Sequence, residues 1–468
     1  MVTNCISTAR VGWAIQPVKK TMKRILVSVG LAALGASTVS AFADSYTGLD
    51  DNKQWSVNLN LRGFYSDNID TAPKGQSGFG FDINPGARLH LNNSQTDFTA
   101  GYQYDAVYYD KRPVGNNSNW DQDHTFDLSL QHQFSERYSL TVGDTFVVGQ
   151  EPDQLQVTGP FTEPERVSGD NIHNYGTINF DMQVTHLLGL EIGYDNSLWS
   201  YASHKFFPTQ LTLTNLSSIT PSLVGENDRI EQTVHLDSHW SVTPSTVLIL
   251  GYQFTDVDYT GNQPIQVINP LMPIAPHFNV YYSSVRDSHS HYGYVGATHE
   301  FLPNLTGSIK IGARYTENYN DPNDTVTVAP YVSMNISYNY AKESYVQLGF
   351  THDMSANDHA GGSGTNIVQD SDTSVVFGTV HQRLTPKLYA TFTGTFQDAV
   401  VNAPGSPLDG EEDRYYLLAL DFEYKFTHNF SMHTGYTYDR LETGKSLAGT
   451  STGSYDKSTI YLGATISY

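Results

Sequence analysis

The chain ends in Ile460-Tyr461-Leu462-Gly463-Ala464-Thr465-Ile466-Ser467-Tyr468. Ile460, Leu462, Ala464, Ile466 and Tyr468 are apolar or aromatic, and the residues between them are small or carry a hydroxyl. Successive side chains leave a pleated strand on opposite sides, so this alternation describes a strand with two unlike faces.

The same pattern recurs back to the first third of the chain. Trp55, Val57, Leu59 and Leu61 alternate with polar residues, as do Phe79, Phe81, Ile83, Ala87, Leu89 and Leu91. Phe98, Ala100, Tyr102, Tyr104 and Ala106 follow, and later Leu305, Ile309, Ile311, Ala313 and Tyr315. Tight joins punctuate the runs at 92–95, 135–137, 185–186, 243–245, 302–304, 341–343, 385–387 and 427–429. Between those joins lie longer polar segments rich in Gly, Pro, Asn and Asp, such as 149–171, 203–228, 260–287, 355–371, 399–411 and 441–455. A transmembrane barrel predicts short turns at one rim and long loops at the other, since turns only reverse the chain while external loops are free to grow.

The expected fold is therefore all-β: a transmembrane, antiparallel, up-and-down β-barrel over 55–468, with about 18 strands (16–20). Strands of roughly 10–14 residues are expected, where about 9–11 cross a bilayer. An even count puts both termini on one side, the periplasmic one. The segments 203–228 and 260–287 are long enough to hide further short strands, and with 149–171 they are candidates for a constriction loop. No apolar run after residue 44 approaches the length of a membrane-spanning helix.

The front of the chain reads as an export signal. Met22-Lys23-Arg24 is basic, Ile25–Val39 is apolar, and Ala41-Phe42-Ala43 offers cleavage before Asp44. On this reading 1–21 is an upstream extension from a misplaced start, 22–43 the signal peptide, and 44–54 a short periplasmic segment. The sole cysteine, Cys5, then leaves with the leader, which suits an oxidising periplasm.

Composition agrees with a lipid-facing sheet: 31 Tyr, 22 Phe and 38 Gly, with 16% charged residues. The formal charge is −22, and removing Arg10, Lys19, Lys20, Lys23 and Arg24 with the leader makes it −27. Such a surface repels nucleic acid and is compatible with a cation-tolerant pore. The polar positions along the strands include Arg62, Asp82, Arg88, Asp127, Asp181, Lys310 and Arg314, too many charges for a dry core but suited to a wet lumen. A soluble β-sandwich or propeller would bury apolar residues inside instead. Trp55, Tyr65, Tyr138, Trp240, Tyr315 and Tyr438 stand near strand ends, as aromatic girdles do.

Asp287, His289 and His291 alternate near a rim, and two imidazoles so spaced, roughly 6.5–7 Å apart, could share a metal ion with a neighbour's help. A polar rim is the plainer account, and no metal or cofactor is assigned. A bulge is expected near Tyr294 and Val295, where the facing is ambiguous. No motif of the G-x-S-x-G, H-E-x-x-H or phosphate-loop kind is picked out, and His299-Glu300 lacks the second zincin histidine, so no catalytic residue is expected.

The last strand, Ile460 to Tyr468, looks like the terminal signal by which outer-membrane barrels are recognised and inserted by the assembly machinery. The opening strand through Tyr65-Ser66-Asp67-Asn68-Ile69, then Phe79-Gly80-Phe81-Asp82-Ile83-Asn84-Pro85-Gly86, then hairpins such as Arg383-Leu384-Thr385-Pro386-Lys387-Leu388, resembles the β-barrel porin type 2 family over essentially all of 45–468. The resemblance implies a barrel in the bacterial outer membrane, in contact with lipid and lipopolysaccharide, and brings no catalytic residues. The expected role is passive diffusion of small polar solutes or ions, with homo-oligomerisation left open. The alternatives are a non-conducting or exopolysaccharide-associated barrel in surface-polymer export and, less well supported, an outer-membrane hydrolase.

Overall fold

The computed structural model describes residues 53–69, 71–111, 118–149, 171–202, 223–268, 279–356, 367–406, 408–444 and 454–468. The export signal and most of the segment before the barrel therefore lie outside the described residues, as do 150–170, 203–222 and 269–278 of the three candidate constriction segments.

The strands follow the alternating runs. They are β1 (Trp55–Ser66), β2 (Gly78–Asn92), β3 (Thr96–Tyr109), β4 (Trp120–Ser135), β5 (Tyr138–Gly149), β6 (Asn171–Gln183), β7 (Leu188–Tyr201), β8 (Arg229–Thr243) and β9 (Thr246–Tyr259). After a small hairpin of β10 (Pro264–Ile268) and β11 (Asn279–Tyr282) come β12 (Ser288–Leu302), β13 (Leu305–Glu317), β14 (Val326–Ala341), β15 (Ser344–Ala356), β16 (Asp370–Arg383), β17 (Leu388–Asn402), β18 (Glu412–Lys425), β19 (Phe430–Thr443) and β20 (Tyr455–Ser467). A helix α1 (Leu223–Asn227) precedes β8.

Eighteen strands form one antiparallel sheet, with β10 and β11 forming a separate two-stranded one. Each strand pairs with its sequence neighbour, β9 pairs with β12, and the sheet closes where β1 meets β20 from Asn58↔Ser467 to Ser66↔Thr459. Closure leaves the sheet without a free edge strand, the condition for a sheet to stand in hydrocarbon. The strands run somewhat longer than expected, to 16 residues in β4 and β14.

All eight predicted tight joins connect neighbouring strands at one rim. Several close the same way: the Oγ1 of Thr185 accepts from the backbone N–H of Leu188 at 3.0 Å, and that of Thr385 from Leu388 at 3.0 Å. The start of β1 and the C-terminal residue share this rim, where Tyr468 N–H donates to Val57 O at 2.8 Å and the Trp55 and Tyr468 rings lie 5.5 Å apart.

The faces divide by polarity. Val57, Leu61, Phe81, Leu128, Ile192, Leu250, Val295, Ile311, Val328, Leu418, Ile460 and Leu462 are large, apolar and exposed on the outer side. Soluble proteins rarely expose a contiguous apolar patch of more than a few hundred Å², whereas this one recurs on strand after strand of the sheet. Trp55, Tyr138 and Trp240 face outward at the turn rim, and Tyr65 and Tyr315 face outward at the loop rim. The barrel thus spans the bacterial outer membrane, the setting in which closed sheets of this size with paired aromatic girdles stand.

The expected bulge in β12 is absent. Its register with β13 is continuous from His289↔Glu317 to Glu300↔Thr306. Tyr294 and Val295 face opposite sides simply because they are adjacent in a regular strand.

Candidate functional site

The inner face carries the polar half of each alternation. Arg62, Asp82, Arg88, Asp127, Asp181, Lys310 and Arg314 all lie on it, by the parity that puts Leu61, Phe81, Leu128, Ile311 and Tyr315 outside. Arg62 and Asp82 are register partners, with Nη2 2.7 Å from Oδ2. Asp127 accepts from the Thr145 hydroxyl at 2.9 Å, and Asp181 from the Ser139 hydroxyl at 3.3 Å.

Lys310 and Arg314 find partners the sequence did not reveal. Lys310 Nζ donates to Asp237 Oδ2 at 2.9 Å, across two intervening strands. Arg314 Nη1 lies 3.5 Å from Asp353 Oδ1. Each pair gains a tyrosine. The Tyr294 hydroxyl donates to Asp237 at 2.5 Å and the Tyr292 hydroxyl to Asp353 at 3.1 Å. Lys310 lies 4.8 Å from the Tyr294 ring centre and Arg314 5.1 Å from that of Tyr292, so each cation also rests on a π face. The Tyr331 ring sits 5.6 Å from both of the others. Its hydroxyl, in a side chain 1% exposed, has no hydrogen-bond partner among the described residues.

The register explains how three rings fit on one wall. Asp181, Glu191, Asp237, Gly251, Tyr294, Gly312 and Tyr331 form a single row across seven strands. A Cβ on Gly251 would strike the Tyr294 ring and Asp237 Oδ1, so glycine there lets the ring lie against the sheet. Alternation in the sequence gives the parity of Asp237 and Asp353 but not their height relative to β13, which is set by register.

The suspected metal trio is dispersed. His289 and His291 face outward, His289 Nε2 lying 3.0 Å from Asp256 and His291 Nδ1 2.7 Å from the Tyr252 hydroxyl. Asp287 stands in the connection before β12, where Oδ1 accepts from Tyr259 N–H at 2.7 Å and Oδ2 from Asn320 Nδ2 at 2.9 Å. Burial pushes its carboxyl up to about 6, against the lowering effect of those two bonds, with Asp258 and Asp256 adding to the rise. The hairpin of β10 and β11 realises the short strands suspected within 260–287. The sequence reading overlooked Gly449-Thr450-Ser451-Thr452-Gly453, which spells the G-x-S-x-G of hydrolases. It lies outside the described residues.

No protein-family model matches the chain, and no curated protein matches it. The likeness to the β-barrel porin type 2 family thus stays a resemblance. Among solved structures the chain is similar to Acinetobacter baumannii OccAB4, at 13% identity, 90% of this chain, 100% of that chain and a TM-score of 0.41. It is similar to the Pseudomonas aeruginosa outer membrane protein OpdK at 9% identity, 88% and 99% coverage and a TM-score of 0.43. It is similar to the FrpB iron transporter from Neisseria meningitidis at 9% identity, 91% and 84% coverage and a TM-score of 0.42. Likeness at this level carries no argument about function; the chain is a closed outer-membrane β-barrel on the strength of its own strand pairing and its two-faced wall.

Proposed function

We propose that this protein is a porin-like channel for passive diffusion of small polar solutes or ions. The observation that carries the reading is the inner face itself, which bears charged and amide side chains on strand after strand while the outer face is mainly apolar. Unsolvated, such an interior would cost several kcal/mol for each unpaired charge. Barrels of about 16–18 strands enclose an aqueous channel unless something fills it. The reading assigns transport and no catalysis, with the lumen charges setting selectivity.

The packed wall of Tyr292, Tyr294 and Tyr331 favours one second reading: a narrowed, non-conducting barrel that serves surface-polymer export. Planar-bilayer recording separates the two. The channel reading expects stepwise single-channel currents from detergent-extracted, heat-modifiable protein. Silence from barrels shown to be folded would overturn it in favour of the second.

A further inference from the structure

We propose that the solutes of this channel are small cations, and that the wall formed by β3 to β7 makes the selection. The proposal rests on the channel reading above and names the solute class for it.

Three observations support it independently. The five consecutive strands β3 to β7 contain no lysine or arginine. Their inner faces carry Asp105, Asp123, Asp127, Asp181, Glu191 and Asp195, of which Glu191 and Asp195 also hold His235 of β8 at 3.3 and 3.4 Å. Asp105 and Asp123 are direct register partners, as are Asp181 and Glu191, so like charges stand side by side along this wall.

Four of the cations elsewhere on the inner face come with their own carboxylates. Arg62 pairs with Asp82 at 2.7 Å, Arg229 with Glu231 at 2.7 Å, Lys310 with Asp237 at 2.9 Å and Arg314 with Asp353 at 3.5 Å. Each such pair is close to neutral at a distance, so these four cations offset little of the carboxylate charge on β3 to β7.

The third observation covers the whole chain, its loops included. It has 26 Lys and Arg against 48 Asp and Glu, so the remaining residues cannot supply the missing positive charge. A cleft lined by one sign of charge between low-dielectric walls concentrates counter-ions and repels co-ions. Carboxylate solutes would meet the opposite effect.

Reversal potentials across a planar bilayer under a potassium chloride gradient test this. At ~0.1 M salt the cation-to-anion permeability ratio is expected at roughly 5 to 10, because the Debye length is then about 10 Å and wall charges act well into the lumen. At ~1 M, where screening acts within about 3 Å, the ratio should fall toward 2. The double substitution Asp123→Asn and Asp127→Asn should lower the low-salt ratio about twofold, and Arg88→Gln should not lower it. Conduction with a ratio at or below one, or a ratio unmoved by the double substitution, overturns the cation proposal and leaves the channel standing. Absence of conduction overturns the channel and the cation proposal with it.

Discussion

The guanidinium of Arg314 donates from Nη1 to the backbone oxygen of Met354, on a strand two away from its own. The ladder between β14 and β15 stops at Val332↔His352. Extending that register by two residues places Met354 opposite Pro330, which has no N–H to give. The arginine thus serves a carbonyl that proline leaves without a ladder donor, and it holds Asp353 as well.

Arg314→Met should therefore destabilise the barrel by about 3–5 kcal/mol, since it strands a buried carboxylate and a buried carbonyl together. Urea unfolding from lipid vesicles measures the loss. Adding Pro330→Val restores a backbone donor, and the double variant should recover part of the loss. A strictly additive result would show that proline and arginine do not share this carbonyl.

Adjacent residues on β4 should respond oppositely to the same charge. Leu128 is exposed on the outer face, and Ser129 is exposed on the inner one. Leu128→Arg should cost about 2–4 kcal/mol if it sits near the bilayer midplane, and less toward a rim. Ser129→Arg should cost under about 1 kcal/mol, because water already reaches it. Folding yield into vesicles reports both, and equal costs would contradict the assigned faces.

Gly251 should tolerate no side chain. Gly251→Val drives a branched Cβ into the Tyr294 ring and should cost about 1–3 kcal/mol through displacement. Adding Tyr294→Ala empties the space and should return part of that cost, while freeing Asp237 of one donor. The conductance of the double variant should exceed that of the parent, because a buried ring leaves the wall.

Asp287 makes the loop-rim end of β12 sensitive to pH. Its carboxyl is pushed up to about 6 in the fold, above the ordinary value of 3.8, mainly by burial. The folded state therefore holds the proton more tightly than the unfolded one. The stability of this end is greatest below about pH 4 and declines as pH rises toward 6. Hydrogen exchange at Ser288 and His289 should quicken across that window, and Asp287→Asn should flatten the response while keeping one acceptor for Tyr259 N–H.

Much of this architecture was legible along the chain. A side chain's face in a strand depends only on its parity, so Ile460 to Tyr468, Trp55 to Leu61 and Phe79 to Leu91 declared their outer faces without reference to any partner. Turn chemistry is equally local: Thr185 and Thr385 close their hairpins with bonds to residues three positions on. Parity likewise put Arg62, Lys310 and Arg314 on the inner side.

What remained hidden depends on register and closure. Sequence alone does not say that the β13 cations reach Asp237 on β8 and Asp353 on β15, because strand-to-strand height is set by the tilt and stagger of the closed sheet. The acidic wall of β3 to β7 was present as composition, but only the barrel gathers it into one arc facing one lumen. The partners of His289 and His291 were hidden for the same reason: a different neighbour on β9 meets each of them. Local alternation decided which residues meet lipid and which meet water. The tertiary structure alone decided which charges meet one another, because those contacts join residues dozens of positions apart through hydrogen-bond register that no short stretch encodes.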